Sequence, residues 1–309
     1  MKIKKHFLGW QKRSVSERIL YCIIFAIFAL VAFSYLYCLW WCFMSGMKTP
    51  DDIVAKPFAL PTRWRFDNIS KMMAMLKIND TGFWGMLFNS VYFSVIGAFF
   101  SASCTAMLAY VTCKYKFPGA GAYFIASLIM MILPIYGTGG SMYLLLDKLG
   151  LLNSRLMIVT SFSGIGVYYM YFYAFFQNVS NTYAEAARID GAGDYTIFFR
   201  VMLPQAMPMF GAIFLMIWMA EWNNYSTALL YLNELPTLSV GIYLFRTIFG
   251  IDILDNRIFL VRIEIGRESG GDFDILYMAY FITCIPPLVI FAFFNNVLMS
   301  NVSLGGIKE

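Results

Sequence analysis

The sequence predicts an all-α integral membrane protein. Hydrophobic residues make up 60% of the 309-residue chain and charged residues only 13%. The mean hydropathy of +0.66 lies far outside the usual range of soluble proteins. Six apolar runs can cross a hydrocarbon core of about 30 Å, since a helix rises about 1.5 Å per residue. No run alternates polar and apolar residues as barrel strands do, so helices are the expected spanning elements.

The six runs divide the chain into its expected parts. Spans are predicted over residues 19–44, 83–111, 123–146, 156–176, 207–232 and 275–299. The expected parts are a tail over 1–18, the first transmembrane helix over 19–44, a loop over 45–82, a core domain with five helices over 83–300, and a tail over 301–309. A second long loop is expected over residues 231–273, in which the polar stretch 251–272 resembles an insertion.

The distribution of cations predicts the orientation. The residues before the first span include Lys2, Lys4, Lys5, Lys12, Arg13 and Arg18. Positive charge is retained on the cytoplasmic side, so the N-terminus is expected to be cytoplasmic, with an uncleaved anchor as the first span. Six spans then return the C-terminus to the cytoplasm and leave the 45–82 loop extracytoplasmic. The polar segment 182–204 is expected to be cytoplasmic.

Several function classes are excluded by what the chain lacks. Its net charge of +5 comes from scattered cations, which do not form a nucleic-acid-binding face. The single histidine, His6, and six cysteines without C-x-x-C spacing provide no metal site. The spans contain no paired carboxylates for an intramembrane enzyme, and no G-x-x-x-x-G-K-[ST] motif for ATP is present. We therefore expect no cofactor in this chain and no enzyme activity.

The segment 182–204 is the most informative part of the sequence. Thr182 and Glu185 have the spacing of a capping box, which predicts a helix start. Gly191 suits the left-handed position that ends a helix, and Asp194 is expected to cap a second helix. Pro204 is expected to mark the entry to the fifth span. The segment is thus predicted to be a helix-turn-helix hairpin on the membrane surface.

Its spacing resembles a known signature. Glu185-Ala186-Ala187 is followed after three residues by Gly191 and, further on, by Leu203-Pro204. This is similar to the cytoplasmic motif of binding-protein-dependent ABC importer permeases. Collinear landmarks such as Trp222-Asn223 and the run 235–241, Leu-Pro-Thr-Leu-Ser-Val-Gly, extend the resemblance. They indicate the maltose and oligosaccharide type of carbohydrate-uptake family 1, second membrane subunit.

The resemblance implies a fold, partners and coupling residues. The fold would be the six-helix type I ABC importer transmembrane domain in a prokaryotic cell membrane. The partners would be a homologous permease, two ATPase subunits that bind ATP and Mg²⁺, an extracytoplasmic solute-binding protein and a sugar. The residues implied to couple to the ATPase are Glu185, Ala186, Ala187, Asp190, Gly191, Leu203 and Pro204. An ABC importer of another solute and an ion-coupled secondary transporter are the alternatives.

A polar cluster inside the fifth span predicts a substrate pathway. A carboxylate such as Glu221 faces a cavity or a partner in a membrane, because exposure to lipid costs several kcal/mol. A structural hydrogen bond to a neighbouring helix is the alternative. The candidate pathway residues are Glu221, Trp222, Asn223, Asn224, Tyr225, Asn89 and Tyr136. Pro134, followed by Gly137, Gly139 and Gly140, is expected to break or kink the third span, either as a hinge for alternating access or as a static kink.

Overall fold

A computed structural model of the protein describes residues 14–115, 117–133, 137, 139–161, 164–251 and 273–302, without the side chains of 248–251 and 295–302. The regular structure of these residues is helical. We number the helices α1 Val15–Gly46, α2 Pro50–Ala55, α3 Asp67–Met75, α4 Phe83–Lys114, α5 Ala120–Ile132, α6 Gly139–Lys148, α7 Val167–Asn178, α8 Thr182–Ile189, α9 Asp194–Trp222, α10 Tyr225–Tyr231, α11 Leu238–Ile251 and α12 Phe273–Val302. A 3₁₀ helix covers Arg155–Ser161.

Four helices among the described residues are long and apolar enough to cross a membrane. They are Val15–Gly46, Phe83–Lys114, Asp194–Trp222 and Phe273–Phe294, and Ala120–Ile132 is a shorter apolar helix. The predicted all-α membrane class is confirmed. The runs 19–44, 83–111 and 275–299 each lie within one helix.

Three predicted spans are not continuous helices. The interruption of the third span agrees with the break or kink expected at Pro134, whereas the expectation of continuous helices in the fourth and fifth spans was wrong. In 123–146, α5 ends at Ile132 and α6 begins at Gly139, with Gly137 at φ +86° between them. Pro134 lies outside the described residues. In 156–176, Gly166 at φ +107° separates the 3₁₀ helix from α7. Each of these runs is therefore divided between two helical segments, and a glycine with positive φ lies between the segments.

The fifth predicted span, 207–232, is also interrupted. Helix α9 ends at Trp222, and α10 begins after Asn224, whose side chain accepts from the backbone N–H of Thr227. An asparagine that caps its own downstream helix competes with helix continuation, so the break falls at this residue.

The predicted loops contain helices that the sequence reading missed. Helices α2 and α3 lie within 45–82, and α11 lies within 231–273. In α11 the buried residues include Leu238, Val240 and Phe245. These helices are too short to span a bilayer, and a search for long apolar runs does not detect them.

The chain divides into two compact units. The first contains the described residues 14–72 and 273–282. In it the end of α1 packs on the start of α12 through Trp41 with Tyr277 and Phe43 with Phe281, at ring-centre distances of 4.8 and 4.9 Å. Buried Asn68 donates to the Gly46 carbonyl at 2.9 Å and to the Asp274 carboxylate at 3.0 Å, which ties α3 to both.

The second unit contains the described residues 73–251 and 283–302, and α4 lies at its centre. Helix α4 fully buries a series of alanines at a spacing of about one helical turn, and it packs against α7 and α9. The series is Ala98, Ala102, Ala106 and Ala109. Small side chains let helix backbones approach closely in a membrane protein. Helix α4 is thereby held along much of its length.

Candidate functional site

The segment 182–204 forms the predicted helical hairpin. Helix α8 ends at Ile189 with Asp190 as its C-cap, and Gly191 follows at φ +80°. The N–H groups of Gly191 and Ala192 donate to the carbonyls of Arg188 and Ala187 at 3.1 and 3.0 Å. This pair of bonds is a Schellman motif, so the predicted left-handed role of Gly191 is confirmed.

The predicted helix starts are wrong in detail. Asn181, and not Thr182, is the N-cap of α8, and no capping box forms. The Thr182 N–H donates instead to the Ser180 hydroxyl at 3.2 Å. Gly193 is the N-cap of α9, and the Asp194 carboxylate does not cap it. Tertiary partners engage Asp194, and a local pattern cannot reveal them.

Pro204 does not begin a new helix. Helix α9 runs from Asp194 to Trp222 and includes a π-helical stretch at Ile197–Met202. Pro204 has no N–H to donate to the carbonyl of Arg200, so the regular pattern cannot close there. The Gln205 side chain donates to the Val201 carbonyl at 3.1 Å. The hairpin therefore continues directly into a membrane-length helix.

The hairpin has one buried and one exposed apolar face. Ile197 and Met202 are fully buried, and the buried Phe198 ring lies 5.1 Å from the Tyr110 ring of α4. The exposed apolar residues are Tyr183, Ile189, Tyr195 and Phe199, and Ile189 is 87% exposed. Among the implied coupling residues, Glu185, Ala186, Asp190, Gly191 and Pro204 are exposed, whereas Ala187 and Leu203 are half-buried.

Polar contacts attach the hairpin to the end of α4. Lys114 Nζ donates to the Val179 carbonyl at 2.6 Å and to Asn181 Oδ1 at 2.8 Å. Tyr115 Oη donates to Asp194 Oδ1 at 2.8 Å, and Arg188 reaches the same oxygen at 3.1 Å. Burial raises the pKa of the Tyr115 phenol, and the hydrogen bond to Asp194 raises the pKa of the Arg188 guanidinium. Tyr115 therefore stays a neutral donor at physiological pH.

A polar cavity of about 240 Å³ lies in the second unit. Elements from four parts of the chain surround it: α4, α6 with the following 3₁₀ helix, the α9–α10 junction and the start of α11. Its polar lining residues are Ser90, Thr160, Ser161, Glu221, Asn224, Thr227, Tyr231, Thr237 and Ser239. This lining presents hydroxyl and amide groups around one carboxylate.

Glu221 lies half-buried at this cavity. Asn224 Nδ2 donates to Glu221 Oε2 at 3.3 Å and to Thr227 Oγ1 at 2.9 Å. Within the described residues, no ion pair involves Glu221. Glu221, near the end of α9, and Asn224, at the start of α10, both line the cavity.

The other predicted pathway residues fall into two groups. Trp222 lines the cavity. Asn223 donates to the Met219 carbonyl at 2.8 Å within its own helix, and Tyr225 stacks on Tyr243 at 4.3 Å. Asn89 is buried and donates to the Pro236 carbonyl at 3.1 Å. These three do not line the cavity, and Tyr136 lies outside the described residues.

Sequence reasoning missed most of the cavity hydroxyls. Ser90 follows the predicted pathway residue Asn89, and its Oγ accepts from the Leu238 N–H at 2.7 Å. Thr160 and Ser161 come from the 3₁₀ helix, Thr227 from α10 and Ser239 from α11. Only the folded chain brings them together. Across the described residues, no three His, Cys, Asp or Glu side chains form a group that could hold a metal ion.

Several membrane-length helices and a surface hairpin between them are features of a membrane transport subunit. Comparison with known proteins identifies its family. Residues 102–303 match the family described as binding-protein-dependent transport system inner membrane component. The chain belongs to this family. The predicted class, a permease subunit of a binding-protein-dependent ABC transporter, is confirmed.

Two relatives and one solved structure illustrate the similarity. The chain is 28% identical over 86% of its length to the diacetylchitobiose uptake system permease protein NgcG of Streptomyces coelicolor, covering 82% of that protein. It is 24% identical over 91% of its length to the arabinooligosaccharides transport system permease protein AraQ of Bacillus subtilis, covering 93% of it. A chain of a bacterial ABC transporter involved in import of the acidic polysaccharide alginate has the same fold, with a TM-score of 0.72, 21% identity and coverage of 92% and 98% of the two chains.

Proposed function

We propose that this chain is the permease subunit of an ATP-driven sugar importer and that its 182–204 hairpin docks on a separate ATPase subunit. The exposed apolar face of the hairpin carries this proposal. Ile189 is 87% and Tyr195 78% exposed, although the opposite face is firmly packed. Isolated exposed apolar residues are common, but a cluster on a rigid polar-flanked hairpin is typical of an interface.

The proposed assembly contains a homologous permease, two ATPase subunits and an extracytoplasmic solute-binding protein. The chain would lie in a prokaryotic plasma or inner membrane with both termini and the hairpin in the cytoplasm. Binding of nucleotide to the ATPases and of loaded receptor to the outer side would shift the bundle between inward- and outward-facing states, since each ligand prefers one state. ATP hydrolysis would occur in the partner subunits.

The proposed substrate is an oligosaccharide. The relatives named above transport sugar oligomers according to their names. The cavity at Glu221 offers acceptors and donors for sugar hydroxyls, and Trp222 offers an apolar ring for a sugar face. A small-molecule site usually combines apolar surface with placed polar groups, and this cavity contains both. Glu221, Trp222 and Asn224 are the pathway residues that this geometry supports best.

The docking proposal is tested with Ile189→Asp. The chain would be coexpressed with the ATPase, second permease and binding protein of neighbouring reading frames, and the amount of ATPase that copurifies with it would be measured. We expect loss of copurification and of ATP-dependent uptake at an unchanged membrane level, because a charge is placed in an apolar contact. The matched control is Val54→Asp, since Val54 is 79% exposed on α2 and copurification should be retained. Normal copurification in Ile189→Asp would contradict the proposal.

A further inference from the structure

Residues at the end of α4 contact the hairpin on both sides of α8, before its first residue and after its last. Lys114 binds the entry to α8, through the Val179 carbonyl and the Asn181 side chain, at 2.6 and 2.8 Å. Tyr115, the next residue, binds Asp194 at the start of α9 at 2.8 Å. Two adjacent residues thus contact the chain just before and just after the α8 turn. We call Lys114 and Tyr115 the α4 clamp.

Asp194 joins the clamp to the hairpin itself. Its Oδ1 accepts from Tyr115 and, at 3.1 Å, from Arg188 of α8. Hydrogen bonds to a charged acceptor are about twice as strong as neutral ones. An exposed ion pair alone would contribute little, but here one carboxylate connects α4, α8 and α9. The three elements are therefore constrained to move together.

An aromatic cluster around Tyr110 packs against Tyr115 of the clamp. The buried Tyr110 ring lies 5.8 Å from Tyr115, 5.4 Å from Phe176 of α7 and 5.1 Å from Phe198 of α9. The contacts with Tyr115 and Phe176 are edge-to-face and the contact with Phe198 is tilted, and aromatic pairs at these distances stabilise a fixed arrangement. The cluster leaves the hairpin little freedom to tilt independently of α4.

Helix α4 connects the clamp to the polar cavity. Ser90 and Phe93 of α4 line the cavity, and Ser90 Oγ accepts from the Leu238 N–H of α11 at 2.7 Å. At about 1.5 Å per residue, Ser90 lies roughly 36 Å along the helix from Lys114. A π-helical stretch at Tyr92–Ile96 lies beside these lining residues. Such stretches occur frequently at functional sites.

We propose that the α4 clamp transmits displacement of the hairpin into α4 and through it to the cavity, so that Lys114 and Tyr115 are positioning residues for coupled transport. This inference rests on the proposed function, since it requires an ATPase that moves the hairpin. The covalent connections of the hairpin to α7 and α9 provide a path without α4. Removing the clamp should therefore lower, without abolishing, the transport obtained per ATP hydrolysed and leave ATPase docking intact.

The test measures sugar taken up per ATP hydrolysed in proteoliposomes that contain the complete transporter and its binding protein. The variants are Tyr115→Phe, which removes one hydroxyl and keeps the ring, and Lys114→Met. We expect each to lower the ratio at least about threefold, which corresponds to loss of one ordinary hydrogen bond, with ATPase copurification unchanged. Lys114→Arg should restore most of the ratio because it keeps the charge and the donors.

A double-mutant cycle and matched controls complete the design. Tyr115→Phe combined with Asp194→Ala should cost less than the sum of the two single changes, because each removes the hydrogen bond between Tyr115 and Asp194. The controls are Tyr35→Phe, at a tyrosine that is 72% exposed on α1, and Lys148→Met, at an exposed lysine of α6; both should keep the wild-type ratio.

The outcomes separate this inference from the proposed function. An unchanged ratio in Tyr115→Phe and Lys114→Met, with ATP-driven uptake in the wild type, would overturn the clamp alone. Loss of ATPase copurification in Tyr115→Phe would assign the residue to docking and also overturn it. Wild-type uptake that persists without the ATPase would instead refute the proposed function.

Discussion

At the scale of single residues, the cavity depends on Glu221 and its bond from Asn224. Removing the Glu221 carboxylate would leave the half-buried Asn224 amide with one hydrogen-bond acceptor fewer. The cost of an unsatisfied buried group is about 1–3 kcal/mol. Variants that keep or remove this acceptor can therefore distinguish a role of Glu221 in transport from a purely structural role.

We predict that Glu221→Ala lowers uptake roughly tenfold, as expected for about 1–3 kcal/mol lost at one polar group, while ATPase copurification is unchanged. Glu221→Gln keeps an acceptor for Asn224 and should retain more uptake. Uptake of the labelled sugar, normalised to protein in the membrane, is the measurement.

The control for Glu221 is Asn223→Ala. Asn223 is exposed and bonds only within its own helix among the contacts described, so uptake should change little. Equal losses in Glu221→Ala and Asn223→Ala, or a fall in protein level that accounts for the lost uptake, would favour a structural role for Glu221.

Two single residues show which predictions depend on local sequence and which depend on tertiary contacts. Gly191 was predicted correctly because a left-handed helix end is a local requirement that glycine meets best. Asp194 was predicted to cap α9, yet its carboxylate binds Tyr115 and Arg188. Those partners lie on other elements, and a short sequence pattern contains no information on which of them will be near.

At the scale of elements, the contact of α1 with α12 depends on Gly46. A Cβ atom at this position would lie 2.9 Å from backbone atoms of Met278. Backbone cannot move away as a flexible side chain can, so the two helices would have to separate. Overpacking of this kind typically costs about 1–3 kcal/mol.

We predict that Gly46→Ala lowers the thermal unfolding temperature of the detergent-solubilised protein by several degrees, about 2–4 °C per kcal/mol for a chain of this size. Gly121→Ala in α5 is the matched control, because nothing lies within 4 Å of its added Cβ. An unfolding temperature for Gly46→Ala equal to that of the control would show that α1 and α12 accommodate the methyl group without cost.

Interruptions distinguish the elements that the sequence predicts well from those it does not. Helices α1, α4 and α12 follow their apolar runs closely. Three other runs are interrupted: between α5 and α6, where Pro134 predicts a break or kink, before α7 at Gly166, and at Asn224. Hydropathy measures the cost of burial in lipid and is nearly indifferent to one turn of irregular backbone, so it detects the run and not the break.

At the scale of the whole molecule, the proposed function requires the hairpin and the 45–82 segment to lie on opposite sides of the membrane. An odd number of crossings separates them in the predicted topology. Both segments present exposed positions that can be labelled, such as Gly193 and Leu60. The orientation can therefore be measured directly.

We predict that Gly193→Cys is protected from a membrane-impermeant maleimide in intact cells or spheroplasts and reacts only in inverted vesicles, whereas Leu60→Cys reacts from outside. The background would lack the six native cysteines. An added Cβ at Gly193 meets no atom within 4 Å, so the hairpin should tolerate the change. Labelling of Gly193→Cys from outside would place the hairpin beyond the reach of a cytoplasmic ATPase.

The sequence by itself determined the membrane class, the helical secondary structure and the position of the hairpin. Each follows from local quantities: apolar length against bilayer thickness, backbone hydrogen bonding in lipid, and the spacing of Glu185, Gly191 and Leu203-Pro204.

Only the tertiary structure decided which side chains meet. It brought Ser90, Thr160, Glu221 and Ser239 around one cavity. It also placed Lys114 and Tyr115 in contact with the hairpin on both sides of α8. These contacts join residues that are distant in the chain. Their formation depends on how α4, α7 and α9 pack, and packing is a property of the whole chain that no single segment encodes.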